Sequence, residues 1–533
     1  MSKLFILLTI LILLVPSLAM AAPLDPGLDK INVDLGRTPL ITVVSNIINV
    51  VLGLLGLIAV CLVVYGGFLW MTAAGNEEQV EKAKNVLTAA LIGLVIILLA
   101  YTIVFFVISK LLGEGGSGVN VAGIGNVGGP SFSGSLSGGI IESHYPSRGG
   151  TGVPRNTKII ITFKEEIDKS SLILDSNNSS KFGDSNADKI NSANIKIYKT
   201  ADAQLSPNVP YVTAVGIVTL NSKTFVLKPD ALFGNPNTPE SYTVFLDSGI
   251  KKQNGDKAFG LSGNYVWSFD VSTVIDVTPP KVESVIPFPD STEARNIVVQ
   301  VNFNEAMDPT SVTGVVPDFT NLLVSTGSQP VGGDYRISNQ YKTVEFVTSD
   351  KCGVNSCGQD VFCLPGDKKF TSLIKAATTP SNFPYDGAVD IVGNSLDGDD
   401  DGKAEGGNAD DYAWQFSTNN IIDISAPTIL TTTPVKNVSS VSLIDPVEIM
   451  FSKLMLFSTL NADNIIIKVG QTIWDRAWWF ENTNVDSNND TKPDRTKTLT
   501  FHDKFDNNTN YTVDVKSGVR DVYQNCYSPS KGP

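Results

Sequence analysis

Two apolar runs decide the fold of the N-terminal part of this chain: IINVVLGLLGLIAVCLVVYGGFLWM at Ile47–Met71 and VLTAALIGLVIILLAYTIVFFVIS at Val86–Ser109. They contain 25 and 24 residues. A helix rises by about 1.5 Å per residue, so each run is long enough to cross a hydrocarbon core of about 30 Å. The short polar loop Thr72–Asn85 joins the runs. The sequence therefore predicts a two-helix transmembrane hairpin embedded in a lipid bilayer.

The segment before the hairpin has the features of an export signal. Lys3 precedes the apolar run Leu4–Val15, and small residues favour cleavage after Ala21. We expect residues 1–21 to be a signal peptide and residues 22–39 to be the mature N-terminal segment, although an uncleaved first membrane anchor is the alternative. With cleavage, two spans place everything after the hairpin outside the cytoplasm, and the protein in the cell membrane.

The hairpin also carries a specific motif. Its first run ends in VVYGGFLWMTAAGNEE, its loop continues as VEKAKN, and its second run contains LIGLVIILLAY. Over residues 40–112 this pattern resembles the type IV secretion (conjugative) pilin family. The resemblance implies two helices that pack subunit on subunit, and Gly66, Gly67 and Gly93 would permit close helix approach. Glycine is also frequent in membrane helices generally, which leaves simple anchoring open.

The rest of the chain departs from a pilin. Conjugative pilins end soon after the second helix, whereas about 420 residues follow here. Residues 113–139 contain eleven glycines and almost no charge, so they should behave as a flexible linker. From Ile140 onward, short alternating segments broken by Asn, Asp, Gly and Pro predict β-strands. We therefore expect a multidomain chain in which a hairpin is followed by tandem all-β domains.

The β-region repeats three times. A proline follows the first predicted strand of each copy and a phenylalanine ends the second: Pro146, Pro287 and Pro434, and Phe163, Phe303 and Phe451. The prolines recur after 141 and 147 residues and the phenylalanines after 140 and 148. Because two separate markers agree, the sequence predicts three domains, at residues 140–275, 276–422 and 423–533.

Each copy should fold as an antiparallel sandwich with one face of every strand buried. The segments Tyr265–Phe269 and Tyr412–Phe416 place Tyr, Trp and Phe on one face and predict closing strands. Together with the pattern I-T-F-x-E-x-x-D-x-S, they resemble the bacterial Ig-like domain of surface-layer and adhesive proteins. The acidic position of that pattern is Glu165 and Glu305 in the first two copies, but it is Lys453 in the third.

The joints between the copies are short and contain proline, at Ile275–Pro280 and Ile422–Pro427. Such connectors favour a semi-rigid rod. The third copy has no counterpart of Tyr412–Phe416 before Pro533. Truncation or natural divergence is one reading, and an exposed sheet edge that another chain completes is the other.

Two Asp-rich loops are candidate calcium sites. In the first, Asp397, Asp399 and Asp401 alternate before Gly402, the arrangement by which a loop presents carboxylates to Ca²⁺. The twelfth position is Asn408 rather than Glu, so Asp410 or Asp411 would have to supply a later ligand. The second loop offers the same alternation without the glycine: Asp486, Asn488, Asp490 and Asp494. A solvated acidic loop is the competing interpretation of both.

The cysteines predict cross-linking rather than metal binding. Cys352, Cys357 and Cys363 lie within twelve residues without a nearby histidine, and a closed zinc site wants four ligands. A disulfide between two of them is expected outside the cell, with the pairing open. Cys526 is then either free or intermolecular.

Composition excludes several functions. A net charge of −14 argues against nucleic acid, which needs clustered lysine and arginine. The chain has two histidines: His144 occupies a strand position where the second copy has Val285, and His502 is predicted to lie at the surface. No catalytic constellation is evident, so we expect a non-enzymatic structural or adhesive protein that binds a surface protein or glycan. The alternative is a subunit of a type IV secretion or conjugation apparatus that self-associates through its hairpin.

Overall fold

The computed structural model describes four residues of the predicted hairpin and most of the β-region: Glu81, Lys82, Lys84, Thr88, and residues 139–528 except 180, 184, 186, 207, 261–262, 315–318, 381–382 and 475. The four hairpin residues are helical and exposed. Within these described residues, no helix is long and apolar enough to cross a membrane. The predicted signal peptide, the first apolar run, the second run except Thr88, and Gly66, Gly67 and Gly93 lie outside the described residues.

The first domain, β-unit 1 (residues 140–275), has two antiparallel sheets built mainly from β-branched and aromatic residues. The sheet orders are β1-β2-β7-β6-β4-β3 and β5-β8-β9. The elements are β1 Ile141–Tyr145, β2 Ile159–Phe163, α1 Lys169–Leu172, β3 Ile173–Leu174, β4 Lys189–Ile190, β5 Ile195–Lys199, a 3₁₀ helix Thr200–Leu205, β6 Ala214–Val218, β7 Thr224–Pro229, β8 Glu240–Leu246 and β9 Tyr265–Val271.

The second domain, β-unit 2 (residues 276–422), repeats this plan and adds a hairpin, β17-β18. Its sheet orders are β10-β12-β16-β15 and β11-β20-β19-β13-β14. The elements are β10 Val282–Ile286, β11 Thr292–Glu293, β12 Val299–Phe303, α2 Pro309–Val312, β13 Leu322–Thr326, β14 Gln329–Pro330, β15 Gly333–Ser338, β16 Thr343–Thr348, β17 Lys351–Val354, β18 Asp360–Phe362, β19 Lys368–Ile374, a 3₁₀ helix Gly407–Ala409 and β20 Tyr412–Thr418.

The third domain, β-unit 3 (residues 423–533, described to Ser528), has the sheets β21-β22-β26-β25 and β24-β23-β27. Its elements are β21 Ile429–Thr433, β22 Val447–Phe451, a 3₁₀ helix Phe457–Thr459, β23 Ile465–Val469, β24 Thr472–Ile473, β25 Ala477–Val485, β26 Arg495–His502 and β27 Tyr511–Val515. Among the described residues, β27 pairs with β23 alone, whereas its counterparts β8 and β19 each have a second neighbour, β9 and β20.

The three β-units share their local geometry as well as their strand order. The pairings of β1 with β2, β10 with β12 and β21 with β22 share one irregularity, which lies between Ile141 and Ser143, between Val282 and Ser284, and between Ile429 and Thr431. The peptide bond before each marker proline is cis, at Tyr145-Pro146, Ile286-Pro287 and Thr433-Pro434. The threefold repeat read from the sequence therefore extends to individual backbone positions.

The predicted closing strands bury their aromatic faces. In β9, Tyr265, Trp267 and Phe269 are all buried, while Ser268 and Asp270 between and beyond them are exposed. The pattern in β20 is the same, with Trp414 and Phe416 buried. These alternations confirm the sandwich prediction.

The β-units also contact one another through side chains. Tyr341 of β-unit 2 is buried, and its hydroxyl lies 3.1 Å from Ser143 Oγ and 3.0 Å from Thr162 Oγ1 of β-unit 1. Glu345 Oε1 of β-unit 2 accepts a hydrogen bond from Ser458 N of β-unit 3 (3.2 Å).

Units 1 and 3 touch as well. Lys164 Nζ lies 2.6 Å from Asp463 Oδ1 at the surface, and the hydrophobic core of β-unit 1 continues into that of β-unit 3. Three units joined end to end in a rod would keep the first away from the third. The expected rod is therefore wrong, because the sheet faces that a rod would leave in water are packed against neighbouring units.

Both histidines are buried structural residues. His144 in β1 packs against Trp267 at 4.3 Å between ring centroids, and its Nδ1 donates to the Pro146 carbonyl oxygen (2.8 Å). His502 packs on Phe505 at 3.9 Å and lies 3.0 Å from the Asp445 carbonyl oxygen. The structural role of His144 is confirmed. The surface position predicted for His502 is wrong, because β26 ends under a cluster of aromatic rings.

His144 should make stability fall in acid. Burial, aided by the charge of Arg148, lowers its pKa to about 3, so the unfolded chain takes up a proton below about pH 6.5 that the folded chain refuses. The stabilisation is complete above that pH and is lost as the pH falls towards 3. Between pH 7 and pH 5 the wild type should lose about 2 kcal/mol more than H144V, which carries the valine found at the equivalent position 285.

Urea unfolding at the two pH values measures this difference. Titrating groups common to both proteins, including His502 and the buried carboxylates, cancel in the comparison. Parallel pH curves for wild type and H144V would contradict the assignment.

Candidate calcium sites

The first acidic loop lies between β19 and β20. Asp397, Asp399 and Asp401 each present a carboxylate oxygen, and these oxygens lie within 4.8 Å of one another. Asp397 is buried, whereas Asp399 and Asp401 are exposed. The structure thus brings together the three alternating aspartates that the sequence predicted, at one end of the second sheet of β-unit 2.

Backbone hydrogen bonds hold this loop in a tight turn. Asp397 accepts from Asp401 N at Oδ1 (3.2 Å) and from Gly402 N at Oδ2 (2.9 Å). Gly402 has a φ of +91°, which glycine adopts readily. At Gly398 an added Cβ would lie 1.9 Å from the Asp410 carbonyl oxygen, so a larger residue would not fit. The two glycines allow the chain to fold around its own carboxylates.

Of the two later ligands considered from the sequence, Asp410 has the less engaged carboxylate, which is not among the three that lie within 4.8 Å of one another. It is buried, its Oδ2 accepts from Gly406 N, and its buried Oδ1 has no hydrogen-bond partner. An orphaned buried carboxylate oxygen is unfavourable unless a cation or donor satisfies it. Asp411 instead accepts from Ala376 N (2.8 Å) and so is engaged by the sheet. The donor set of this loop fits a hard cation.

Two lysines contact the same loop. Lys281 Nζ lies 3.4 Å from Asp397 Oδ2 and also binds Asp400, and Lys403 Nζ lies 3.3 Å from Asp401 Oδ2. The hydrogen bond to Asp400 raises the pKa of Lys281. Both ammonium groups sit on long side chains at the surface, where ion pairs are weak. A divalent cation would compete with them for the aspartates.

The second loop connects β25 to β26 and repeats the first loop locally. Asp486 accepts from Asp490 N at Oδ1 (3.3 Å) and from Thr491 N at Oδ2 (2.8 Å), as Asp397 does from Asp401 and Gly402. Asn488 Nδ2 donates to Asp490 Oδ2 (3.1 Å). Asp494 faces Ser487, whose N and Oγ lie 2.9 and 2.7 Å from its two carboxylate oxygens. The loop is exposed and its polar groups are largely satisfied by one another.

The four cysteines of the β-region form two pairs. Cys352 pairs with Cys363 across the hairpin β17-β18, with 5.7 Å between the Cα atoms. Cys357 pairs with Cys526, 169 residues further along the chain, with 6.3 Å between the Cα atoms. Cys526 is therefore neither free nor intermolecular here. Sequence spacing did not reveal this pair because its partners belong to different β-units.

Sequence reasoning also missed the residues that join β-units 1 and 2. A signal was present in β2, where Ile159, Ile160 and Ile161 are apolar in succession and all buried. A strand with one face in water would alternate apolar and polar residues, so an uninterrupted apolar run indicates that both faces of the strand are buried. Ile160 belongs to a hydrophobic cluster that includes Tyr341 and Ile391 of β-unit 2.

The fold of the described residues thus defines a protein of tandem Ig-like β-sandwiches. Residues 36–107 match the type IV secretion system pilin family, and residues 140–271 and 423–531 match the bacterial Ig-like domain family. Both resemblances read from the sequence are confirmed. β-unit 2 lies between the two matched Ig-like ranges and shares their strand order. No curated protein matches the chain.

Several solved structures are similar to this chain. The S-layer protein rSbsC has 9% identity and a TM-score of 0.16, with 87% of this chain and 62% of that chain covered. A set of titin domains has 9% identity and a TM-score of 0.15, with coverages of 71% and 94%. An L,D-transpeptidase from Mycobacterium tuberculosis H37Rv has 12% identity and a TM-score of 0.15, with coverages of 52% and 98%. The chain therefore spans 62% of the length of the S-layer structure.

Proposed function

We propose that this is a membrane-anchored extracytoplasmic structural or adhesive protein that displays three Ig-like domains. The observation that carries the proposal is the combination of a pilin-family segment with three β-units packed on one another. Two disulfides in the β-region also favour an oxidising compartment. We expect the β-units to present their sheet faces and loops to a protein or glycan partner.

Protease treatment of intact cells tests this topology. A protease that cannot enter the cell should remove the β-region and leave a fragment of the hairpin in the membrane. Lysed cells serve as the control for cleavage, and a cytoplasmic marker reports leakage. A β-region that is protected in intact cells and digested after lysis would overturn both the topology and the adhesive role.

The alternative is a subunit of a type IV secretion or conjugation apparatus, which the pilin-family match favours. In that case the hairpin self-associates through Gly66, Gly67 and Gly93, because small residues allow helices to approach closely. The mass of the full-length protein in detergent should then fall to that of a monomer in G67L. The same substitution in the linker, G125L, should leave the oligomer intact. A wild type that is already monomeric favours simple anchoring.

Calcium is the cofactor that we propose for the acidic loop, held by Asp397, Asp399 and Asp401 with Asp410 as a further oxygen donor. The second loop, with Asp486, Asn488, Asp490 and Asp494, is a second candidate for the same ion. Calcium would supply positive charge that rigidifies the loops rather than chemistry.

Substituting two of the proposed ligands, Asp399 and Asp401, should abolish the contribution of the first loop to stabilisation by calcium. At a calcium concentration 100 times Kd, wild-type β-unit 2 should melt roughly 5 °C or more above its temperature in EDTA. D399N/D401N should show a smaller rise and bind one Ca²⁺ fewer per chain. E283Q/D334N, which also removes two exposed acidic charges, is the control and should behave as wild type. Equal calcium binding by D399N/D401N and wild type would remove the assignment.

A further inference from the structure

The joint between β-units 1 and 2 brings three further carboxylates together. Asp276 lies in the joint itself, Glu305 follows β12, and Asp390 pairs with Met307 through an isolated β-bridge. One oxygen from each lies within 4.8 Å of the others. Asp390 is buried, and the other two are partly buried. These residues are distinct from the acidic loop at Asp397–Asp401.

This cluster has no internal cation. Among the described residues, no lysine or arginine nitrogen forms an ion pair with any of the three carboxylates. The two lysines nearby are engaged elsewhere: Lys342 Nζ donates to the Asn304 carbonyl oxygen (3.2 Å) and Lys158 Nζ to Asp308 (2.8 Å). No ammonium or guanidinium group in the described part of the chain therefore neutralises these three carboxylates by direct contact.

The joint between β-units 2 and 3 provides an internal comparison. Asp423 occupies the place of Asp276 in the second joint sequence. Asp521 occupies the place of Asp390, because the bridge between Met455 and Asp521 corresponds to that between Met307 and Asp390. The third position differs, since Lys453 follows Phe451 by two residues as Glu305 follows Phe303.

The surroundings of the two sites use equivalent asparagines, although Asn394 donates to the Thr278 carbonyl oxygen and Asn525 to that of Asp423. In both joints, an asparagine of the preceding β-unit makes two hydrogen bonds to the backbone of the joint aspartate. Asn156 binds Asp276 in this way, and Asn296 binds Asp423. A second asparagine four residues after the bridged aspartate donates to that aspartate and to the joint backbone, Asn394 at the first site and Asn525 at the second. The two joints therefore share one framework and differ at a single member of the cluster.

At the second joint this framework holds a cation. Lys453 Nζ lies 3.1 Å from Asp423 Oδ1, 3.0 Å from Asp521 Oδ2 and 2.7 Å from the Ser425 carbonyl oxygen. β-unit 1 also supplies its own ammonium, because Lys252, at the place of Asp390, pairs with Glu165 at 2.8 Å. Of the three β-units, the middle one alone has acids at all the corresponding positions.

We propose that Asp276, Glu305 and Asp390 bind one calcium ion at the place that the Lys453 ammonium takes in the other joint. Carboxylate oxygens from separate segments are the ligands that Ca²⁺ prefers, and its flexible coordination suits a site formed where two domains meet. Mg²⁺ demands a smaller and more regular shell. Since Asp276 lies in the joint and is held by Asn156 of β-unit 1, the ion would lock the first two β-units together.

Calcium stoichiometry of the full-length chain in detergent tests the proposal. Equilibrium dialysis should show one Ca²⁺ fewer per chain for E305K, which gives the first joint the lysine of the second. E283K makes the same charge change at an exposed position of β10 and should bind as many ions as wild type. D399N/D401N reports on the loop site separately, so the two assignments fail independently. Equal stoichiometry in E305K and wild type would overturn the joint site.

The reciprocal variant, K453E, distinguishes loss of the calcium site in E305K from misfolding of that variant. K453E recreates three carboxylates at the second joint and should bind one Ca²⁺ more than wild type. In EDTA, E305K should melt above wild type and K453E below it, because one gains and the other loses an internal cation. Calcium should restore the melting temperature of K453E. A folded K453E that binds no additional ion, as judged by circular dichroism and dialysis, would also overturn the proposal.

Discussion

Replacing Lys158 by methionine is expected to lower the free energy of unfolding by about 3–5 kcal/mol, the loss typical when one partner of a buried ion pair is removed. Lys158 Nζ lies 2.8 Å from Asp308 Oδ2 and 3.0 Å from the Tyr385 hydroxyl, and the side chains of the pair are 5% and 1% exposed. Burial by itself lowers the pKa of Lys158, but the Asp308 carboxylate more than offsets this and raises it. The lysine is therefore charged when folded, and K158M leaves a buried carboxylate without its counter-ion.

The control is a surface ion pair between other β-units. K164M removes the contact with Asp463, whose side chain is 52% exposed, and should cost less than about 1 kcal/mol. Urea unfolding of the full-length chain measures both variants. A loss in K158M no larger than that in K164M would contradict the buried pair.

A double-mutant cycle separates the ion pair from other roles of Asp308. Asp308 also caps α2 by accepting from Thr310 N (3.0 Å) and Thr310 Oγ1 (2.6 Å), and asparagine preserves such a cap. D308N alone should destabilise the chain because Lys158 then lies buried without its counter-ion. K158M/D308N should be more stable than the sum of the two single losses predicts.

Removing the Cys357–Cys526 disulfide should cost about 5 kcal/mol, because it closes a loop of about 170 residues in the unfolded chain. C357S/C526S should unfold at a lower urea concentration than wild type, with β-units 2 and 3 affected together. Peptide mapping without reductant checks the pairing itself. A map that links Cys357 to Cys352 or Cys363 would contradict the structure.

The hairpin disulfide provides the matched comparison. Cys352 and Cys363 are separated by 11 residues, so C352S/C363S should cost about 3 kcal/mol, less than the long-range pair. Reduction of the wild type should cost more than either double substitution. Equal losses in the two variants would show that loop length does not determine the stabilisation here.

Much of the β-region could be predicted because its signals are local or repeated. Alternation in Tyr265–Val271 depends on neighbouring side chains pointing to opposite faces, which is a property of any strand. Comparison between copies identified His144 as structural, since Val285 occupies the same position. The spacing of Asp397, Asp399 and Asp401 predicted one cluster because a single turn brings alternate residues together.

Predictions failed where distant segments meet. His502 ends β26 and has no local feature that marks it as buried, yet Trp474 and Phe505 cover it. The proline-containing joints suggested a rod, because a joint sequence reports its own stiffness and not the packing of the domains beyond it. The pairing of Cys526 with Cys357 likewise required the relative placement of two β-units.

The sequence by itself predicted the order of parts in this protein: an export signal, a pilin-family hairpin, a glycine-rich linker, and three β-sandwiches with two Asp-rich loops. These follow from hydrophobic run length, periodicity and repeat spacing, which act over a few residues or recur along the chain. The tertiary structure alone decided that Lys158 meets Asp308 and that Asp276, Glu305 and Asp390 share one site. Charges far apart in sequence acquire their partners only when folding removes water from between them, so their chemistry depends on domain packing.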